Sequence, residues 1–333
     1  MEILKRVHAN NIVKWAKDKP EVLVLSADLT SSCEADAFRN AYPDRFFSMG
    51  IAEQNMLAFA GGLAREGFIP YVHTFAVFIY RRALDQIAMS VAYPNLPVKM
   101  IGFLPGVTTP GGATHQAIED TAIMRSMPNM TVLEVGDATE VENVTEIAYR
   151  IPGPVYVRML RGELPRIFTT PMEFKKARKL SEGNDIVIIS AGLCTEEALR
   201  TTRVLEKNGI EAAMYHISTL KPFEYPEIME NIKKSKKGVI TMENHTVIGG
   251  LGSAIAECMA EEGIGKKLYR IGIKDQFLHG ASRKYLMEEY GLNVTSLLQT
   301  VEKAVGKKLK YDEADIGEVF IPALHSDAKA EAL

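Results

Sequence analysis

From Glu21 to Arg158, short aliphatic and β-branched runs alternate with longer stretches whose apolar positions recur at helical spacing. The runs VLVLSA (22–27), IPYVHT (69–74), VKMIGF (98–103), MTVLEV (130–135) and PVYVRM (154–159) predict strands. Helices are expected over about 52–65, 76–92, 117–126 and 138–149. Continuous apolar strands separated by helices imply a mostly parallel sheet covered on both faces. Pro128-Asn129 and Pro152-Gly153 punctuate the alternation as turn chemistry requires.

The pattern lapses after Arg161, where a polar stretch carrying two prolines reads as a linker. It resumes with DIVIISA (185–191), a helix over 195–208, EAAMYHI (211–217), KGVITME (237–243), a helix over about 250–262 and KLYRIGI (267–273). The expected fold class is therefore α/β, with two consecutive mostly parallel-sheet domains. Their boundaries are expected at 1–165 and 185–312, joined by a linker over 166–184 and followed by a C-terminal tail over 313–333.

Composition narrows the function classes. The 333 residues carry 39 Lys+Arg against 42 Asp+Glu, a formal charge of -3. No cationic excess is available to neutralise nucleic acid or an anionic membrane. The most apolar stretch, Ile69 to Tyr80, is interrupted by His73 and falls short of the roughly 20 residues a membrane span needs. The N-terminus shows no signal-peptide pattern. Cys33, Cys194 and Cys258 are odd in number and widely spaced, which fits reduced thiols and a cytoplasmic location.

Three segments of the first half carry candidate chemistry. FFSMGIAEQNMLAFAGGLAREG turns from a short strand-like run into a helix whose first turn holds Glu53. Taken alone, that carboxylate complements the helix dipole. Here, however, the helix looks largely buried, and a buried carboxylate needs a partner. YVHTFAVFIYRRALDQI places Phe75 and Phe78 on one helical face, an arrangement more often part of a core than a cofactor platform. GFLPGVTTPGGATHQAIED is a strand, a glycine-rich loop and then His115, at the position where open α/β sheets place ligands.

Together with other segments in the same order, the chain resembles the C-terminal half of the transketolases. The matching elements are SADLT (26–30), MGIAEQNM (49–56), HTFAVF (73–78), THQAIED (114–120), RSMPNM (125–130), RGELP (161–165) and MENHTVIGGLGSA (242–254). The resemblance implies a pyrimidine-binding domain followed by the small C-terminal domain of a thiamine-diphosphate enzyme. It implies that Glu53 donates to the ring nitrogen N1′ and so drives the cofactor toward its reactive tautomer. Phe75 and Phe78 would stack on the pyrimidine, with Asp28 and Ile51 nearby. His115 would face the reacting centre as a catalytic and substrate-binding group. Arg161 would grip the anionic end of the sugar through its forked guanidinium. Ser32, His73, Leu104 and Gly111 complete the expected substrate contacts.

The family holds the cofactor's diphosphate through a divalent metal bound by a GDG motif and a later Asn. This chain has no GDG; its nearest match, VGDATE (135–140), lacks the second glycine. No His-rich metal motif occurs either. No metal ligand is therefore assigned to this chain, and Mg²⁺ or Ca²⁺ is expected on a partner subunit that carries the diphosphate-binding domain. The expectation is a split transketolase, α2β2 by family precedent, with thiamine diphosphate shared at the interface. The loop before His115 departs from the family: Leu104 stands near a family His and Gly111 near a family Asp, while His73 fills a place that is usually small. Altered hydroxyl contacts would suit a modified sugar phosphate or a sulfosugar. The rivals are the β subunit of a 2-oxoacid dehydrogenase decarboxylase and a noncatalytic assembly or regulatory subunit. The glycines of IGGLGSA are too irregular for a dinucleotide fingerprint and fit tight helix packing beside Glu243, Asn244 and His245.

Overall fold

The computed structural model describes residues 2–317. In the first half the strands are β1 (Ile3–Lys5), β2 (Val22–Ser26), β3 (Phe46–Ser48), β4 (Ile69–Phe75), β5 (Lys99–Phe103), β6 (Thr131–Glu134), β7 (Val155–Met159) and β8 (Glu163–Pro165). They are interleaved with α1 (Val7–Trp15), α2 (Asp36–Ala41), α3 (Glu53–Arg65), α4 (Ala76–Gln86), α5 (Asp120–Ser126) and α6 (Ala138–Arg150). The second half contributes β9 (Arg178–Ser181), β10 (Ile186–Ala191), β11 (Ala212–Ile217), β12 (Thr219–Lys221), β13 (Val239–Thr246) and β14 (Leu268–Ile273). Its helices are α7 (Cys194–Leu199), α8 (Thr202–Lys207), α9 (Pro226–Lys234), α10 (Leu251–Glu261), α11 (Arg283–Glu289) and α12 (Val294–Val305).

A seven-stranded sheet runs in the order β12-β6-β7-β5-β4-β2-β3, parallel except for β12. A five-stranded sheet runs β14-β13-β10-β11-β9, parallel except for β9. The fully buried runs of β2, β5 and β7 sit between helices on both faces, which is why they read as continuous apolar strings. Gly61 admits the close approach of α3 to the turn after α4: a Cβ there would stand 2.4 Å from the Ser90 carbonyl oxygen.

Three differences from the sequence pattern have local causes. The polar stretch expected as a linker holds β9, whose Arg178 to Ser181 pair antiparallel with β11; so short a strand leaves no periodicity to read. The helix expected over 195–208 is two helices, α7 and α8, interrupted around Arg200 and Thr201. The stretch expected as one helix over 76–92 has a non-helical Ala83 (φ -125°) and passes into a π turn over Ile87–Ala92. Of the expected tail, Glu313–Asp315 forms a single 3-10 turn and the Gly317 carbonyl accepts from Arg200 Nε (2.8 Å); residues 318–333 lie outside the described residues.

Buried charge joins the halves. Arg158 is wholly buried and pairs with Asp120 (2.8 Å) and Glu134 (2.6 Å), while its Nη2 donates to the Asn244 carbonyl (2.8 Å). Burial alone would raise the Glu140 carboxyl, but His216 and the Ser218 hydroxyl hold it down to about 2. Further along, Glu243 accepts from the amides of Leu251 (2.6 Å) and Gly252 (2.9 Å) and so caps α10. A Cβ on Gly250 would stand 2.0 Å from its Oε2, so IGGLGSA serves packing as its irregular spacing suggests.

His8 and His73 form a buried pair under β4. Nδ1 of His73 donates to the Tyr71 carbonyl (3.1 Å), so its Nε2 accepts from His8 Nε2 (2.9 Å). Burial lowers both rings, His73 to about 4 and His8 well below its ordinary value, where the neighbouring His73 adds to the effect. The unfolded chain binds protons on these rings below about pH 6.5 while the folded chain does not. Stability is therefore lost as pH falls from 6.5 toward 4, at up to about 1.4 kcal/mol per pH unit for each ring. Urea midpoints of a His8→Leu/His73→Leu variant should fall less steeply than wild type across that window. Equal slopes would contradict neutral burial.

Candidate functional site

The loops beyond the C-terminal ends of the parallel strands converge at one edge of the seven-stranded sheet, where open α/β sheets bind ligands. Asp28 follows β2, is exposed, and takes φ +59°. Left-handed backbone at a non-glycine residue is uncommon and concentrates at functional sites. After β3, Gly50 (φ +68°) turns the chain so that Ile51 projects into solvent, 73% exposed, while Glu53 begins α3 at only 3% exposure.

Glu53 has a partner. Arg82, on α4, places Nη1 2.7 Å from Glu53 Oε1, and its guanidinium lies 3.9 Å from the centre of the Phe78 ring. One cation therefore bridges the buried carboxylate and the aromatic face, combining an ion pair with a cation–π contact. Phe75 ends β4, Phe78 lies one turn into α4, and their rings stand 5.8 Å apart at 22°. The His115 ring meets Phe78 edge-on at 5.3 Å and Phe75 at 6.3 Å. Its Nδ1 is hydrogen-bonded to the Thr114 hydroxyl (2.8 Å). Arg161 stands 5.9 Å from the centre of the Phe75 ring and donates from Nη1 to the Ser32 carbonyl (2.7 Å).

Glu53, Phe75, Phe78, His115, Arg161 and Ser32 thus meet at one edge, although Ser32 offers Arg161 its backbone oxygen. Two expected substrate contacts stand elsewhere. His73 is wholly buried with His8, because alternation along β4 points it into the layer beneath the sheet. Leu104 is 5% exposed and belongs to the core; what marks it is φ +56°, which starts the turn out of β5. Gly111 lies at the site but acts on a neighbour: a Cβ there would stand 2.7 Å from both Cβ and Cγ of His115.

Residues 5–166 match the family described as transketolase, pyrimidine binding domain, and residues 175–297 match transketolase, C-terminal domain. The chain belongs to the transketolase family. It is 40% identical over 292 residues to a transketolase-family protein of Sinorhizobium fredii, covering 86% of this chain and 85% of that one. Across 308 residues it is 36% identical to the 6-deoxy-6-sulfo-D-fructose transketolase subunit SqwH of Clostridium sp., covering 92% and 95% of the two chains. A solved structure described as a split gene transketolase, inactive beta4 tetramer, superimposes with a TM-score of 0.83 at 38% identity, covering 91% of this chain and 98% of that chain.

For a transketolase-family chain, the arrangement fits the pyrimidine side of a thiamine-diphosphate site: a buried carboxylate beside an aromatic wall with a histidine at its rim. Among the described residues, no group of three or more His, Cys, Asp or Glu is placed to hold a metal ion. Two neighbours escaped the sequence pattern. Arg82 was indistinguishable from Arg81, whose side chain instead pairs with Glu119 (2.7 Å) and ties the loop to α4. Glu34, a left-handed residue (φ +52°), accepts from the amides of Gly162 (2.9 Å) and Ala9 (3.3 Å), and so fixes the turn that carries Arg161. Burial raises its carboxyl despite these bonds and the nearby Arg6 and Arg161.

Gly111→Ala tests the packing of His115. The added methyl must displace the imidazole, so mass spectrometry should show several-fold faster modification of His115 by diethyl pyrocarbonate, with the thermal midpoint little changed. An unaltered rate would show that the ring does not rest on Gly111.

Proposed function

We propose that this chain is the pyrimidine-side subunit of a cytoplasmic, thiamine-diphosphate-dependent transketolase that moves a two-carbon ketol unit from a ketose phosphate or sulfonate to an aldose phosphate. The observation that carries this reading is the convergence of Glu53, the Phe75–Phe78 pair, His115 and Arg161 at one sheet edge. When bound, the cofactor supplies the nucleophilic carbon and the electron sink for cleavage beside a ketose carbonyl.

The chain's own groups then have distinct tasks. Glu53 holds a proton toward the cofactor's ring nitrogen once Arg82 gives way, and Phe78 offers that ring a flat apolar face. His115 stands where it can bond substrate hydroxyls or move protons. Arg161, oriented by the Ser32 carbonyl, is the forked cation that would meet a phosphate or sulfonate. Asp28 stands at the solvent end of β2, within the same row of loops.

The missing diphosphate motif supports a partner subunit that brings the diphosphate-binding domain and its Mg²⁺ or Ca²⁺, in an α2β2 assembly. Exposed apolar side chains support the same reading: Ile51, two residues before Glu53, and Leu84, Met89 and Tyr93 on α4, the helix that carries Arg82, and in the turn after it, Tyr93 being 81% exposed. Large exposed apolar groups of this kind suit protein contacts. The relative named as a sulfo-fructose transketolase subunit favours a sulfosugar donor, and the guanidinium of Arg161 suits sulfonate and phosphate alike.

Purified alone, the chain should turn over no ketose. Co-expressed with a subunit bearing the diphosphate-binding motif, and supplied with thiamine diphosphate and Mg²⁺, it should cleave at least one member of a panel of ketose phosphates and sulfosugars. Glu53→Gln should lower kcat of that complex by about 10²–10⁴-fold. Consumption of pyruvate in preference to every ketose would instead favour a 2-oxoacid decarboxylase, and undiminished turnover by Glu53→Gln would favour a noncatalytic subunit.

A further inference from the structure

The loop that carries His115 is gripped from behind by the C-terminal half. Asn244, wholly buried in β13, spans the first turn of the loop: its Oδ1 accepts from the Val107 amide (3.0 Å) and its Nδ2 donates to the Pro105 carbonyl (3.0 Å). Gly106 between them has φ +57°, and a Cβ there would stand 2.1 Å from Asn244 Oδ1, so the side-chain amide fills the space a larger residue would need. The Asn244 backbone is fixed in turn, because its carbonyl accepts from the buried Arg158 (2.8 Å).

A second grip lies on the distal part of the loop. Gln116 Nε2 donates to the Thr109 carbonyl and to the His279 carbonyl of the C-terminal half, both at 3.3 Å. Gly280 packs so closely that a Cβ on it would lie 2.7 Å from the Pro110 carbonyl oxygen. The Thr246 amide, just beyond Asn244, donates to the Ile118 carbonyl at the loop's exit (2.8 Å). The base is closed by the Gly106 amide donating to Ala117 (2.8 Å). Entry, crest and exit of the loop are therefore each held by the second half, while its open side presents His115 to Phe75 and Phe78.

We propose that Asn244 is a positioning residue for His115, acting through the Pro105–Val107 turn, so that the C-terminal half is part of the catalytic apparatus. The catalytic role given to His115 rests on the functional reading above. Asparagine is required because one side chain must both accept and donate. Alanine leaves the buried Val107 amide unpaired and removes one donor from the Pro105 carbonyl, which keeps the Thr108 hydroxyl (2.7 Å), and a turn that starts from left-handed Leu104 regains a partner for that amide by moving. That movement reaches His115 through the closed base of the loop.

Hydrogen exchange on the full chain tests the coupling without a partner subunit. In Asn244→Ala the amides of residues 106–117 should exchange at least tenfold faster. Trp15, packed between Tyr71 and Tyr149 on the other face of the first sheet, should report an unchanged cooperative unfolding transition. Asn244→Asp, which keeps an acceptor for the Val107 amide and loses the amide donor to Pro105, should loosen the same amides, and it decides the matter if Asn244→Ala fails to fold. In the assembled complex with thiamine diphosphate, both variants should raise the ketose KM or lower kcat at least tenfold while cofactor affinity stays within twofold. Wild-type exchange in both variants, or wild-type ketose kinetics in an active complex, would overturn the proposal. A wild-type complex that cleaves no ketose would refute the functional reading alone, with the exchange rates still deciding whether Asn244 governs the loop.

Discussion

One buried carboxylate sets the terms for the rest of the site. Glu53 sits at the start of α3 almost without access to water, and such a group must find a cation or a proton donor. In this chain the partner is Arg82, which reaches across from α4 and lies on the face of Phe78. The guanidinium is itself partly solvated and held by few other groups, so the arrangement satisfies the carboxylate without locking it. A flat ring that offers its own nitrogen to Glu53 and its face to Phe78 would compete for the same two contacts.

The topology explains why such different segments meet. Parallel strands deliver all their C-terminal ends to one edge, and three of the exits are bent by a residue in left-handed backbone: Asp28 after β2, Gly50 after β3 and Leu104 after β5. Two of the three carry side chains that normally avoid this conformation, so the strain must be met by surrounding structure. For Leu104 the support is visible. Its side chain is anchored in the core, and the turn that follows is held by Asn244 of the other half. The charged seam around Arg158 makes that support stiff, because each of its ionic groups would be costly to leave unpaired.

Much of this was legible in the sequence, and the failures are physical. The long apolar runs were readable because burial on both faces leaves no polar register to confuse them. β9 and β12 were not, since strands of four and three residues carry no period, and β12 leaves the second half to pair antiparallel with β6 of the first sheet. Glu53, Phe75, Phe78, His115 and Arg161 could be named because they stand in motifs of fixed order, and the chain's membership of the transketolase family accounts for that order. His73 misled because its place in HTFAVF says nothing about which face of β4 it occupies. The sequence marks Gly111 as standing near a family Asp; that its absent side chain makes room for the imidazole of His115 is visible in the structure alone. Arg82 and Asn244 act through contacts between segments distant in sequence, which no local pattern encodes.

The central claim is that Glu53 is the group that engages the cofactor and that Arg82 holds its place in the free chain. The most direct measurement is a cryo-EM map of the assembled complex with thiamine diphosphate bound, at a resolution that shows side chains. The account predicts the Glu53 carboxylate within hydrogen-bonding distance of the pyrimidine nitrogen, with Arg82 moved off the face of Phe78. A bound cofactor whose ring lies elsewhere, with the Glu53–Arg82 pair intact, would contradict it.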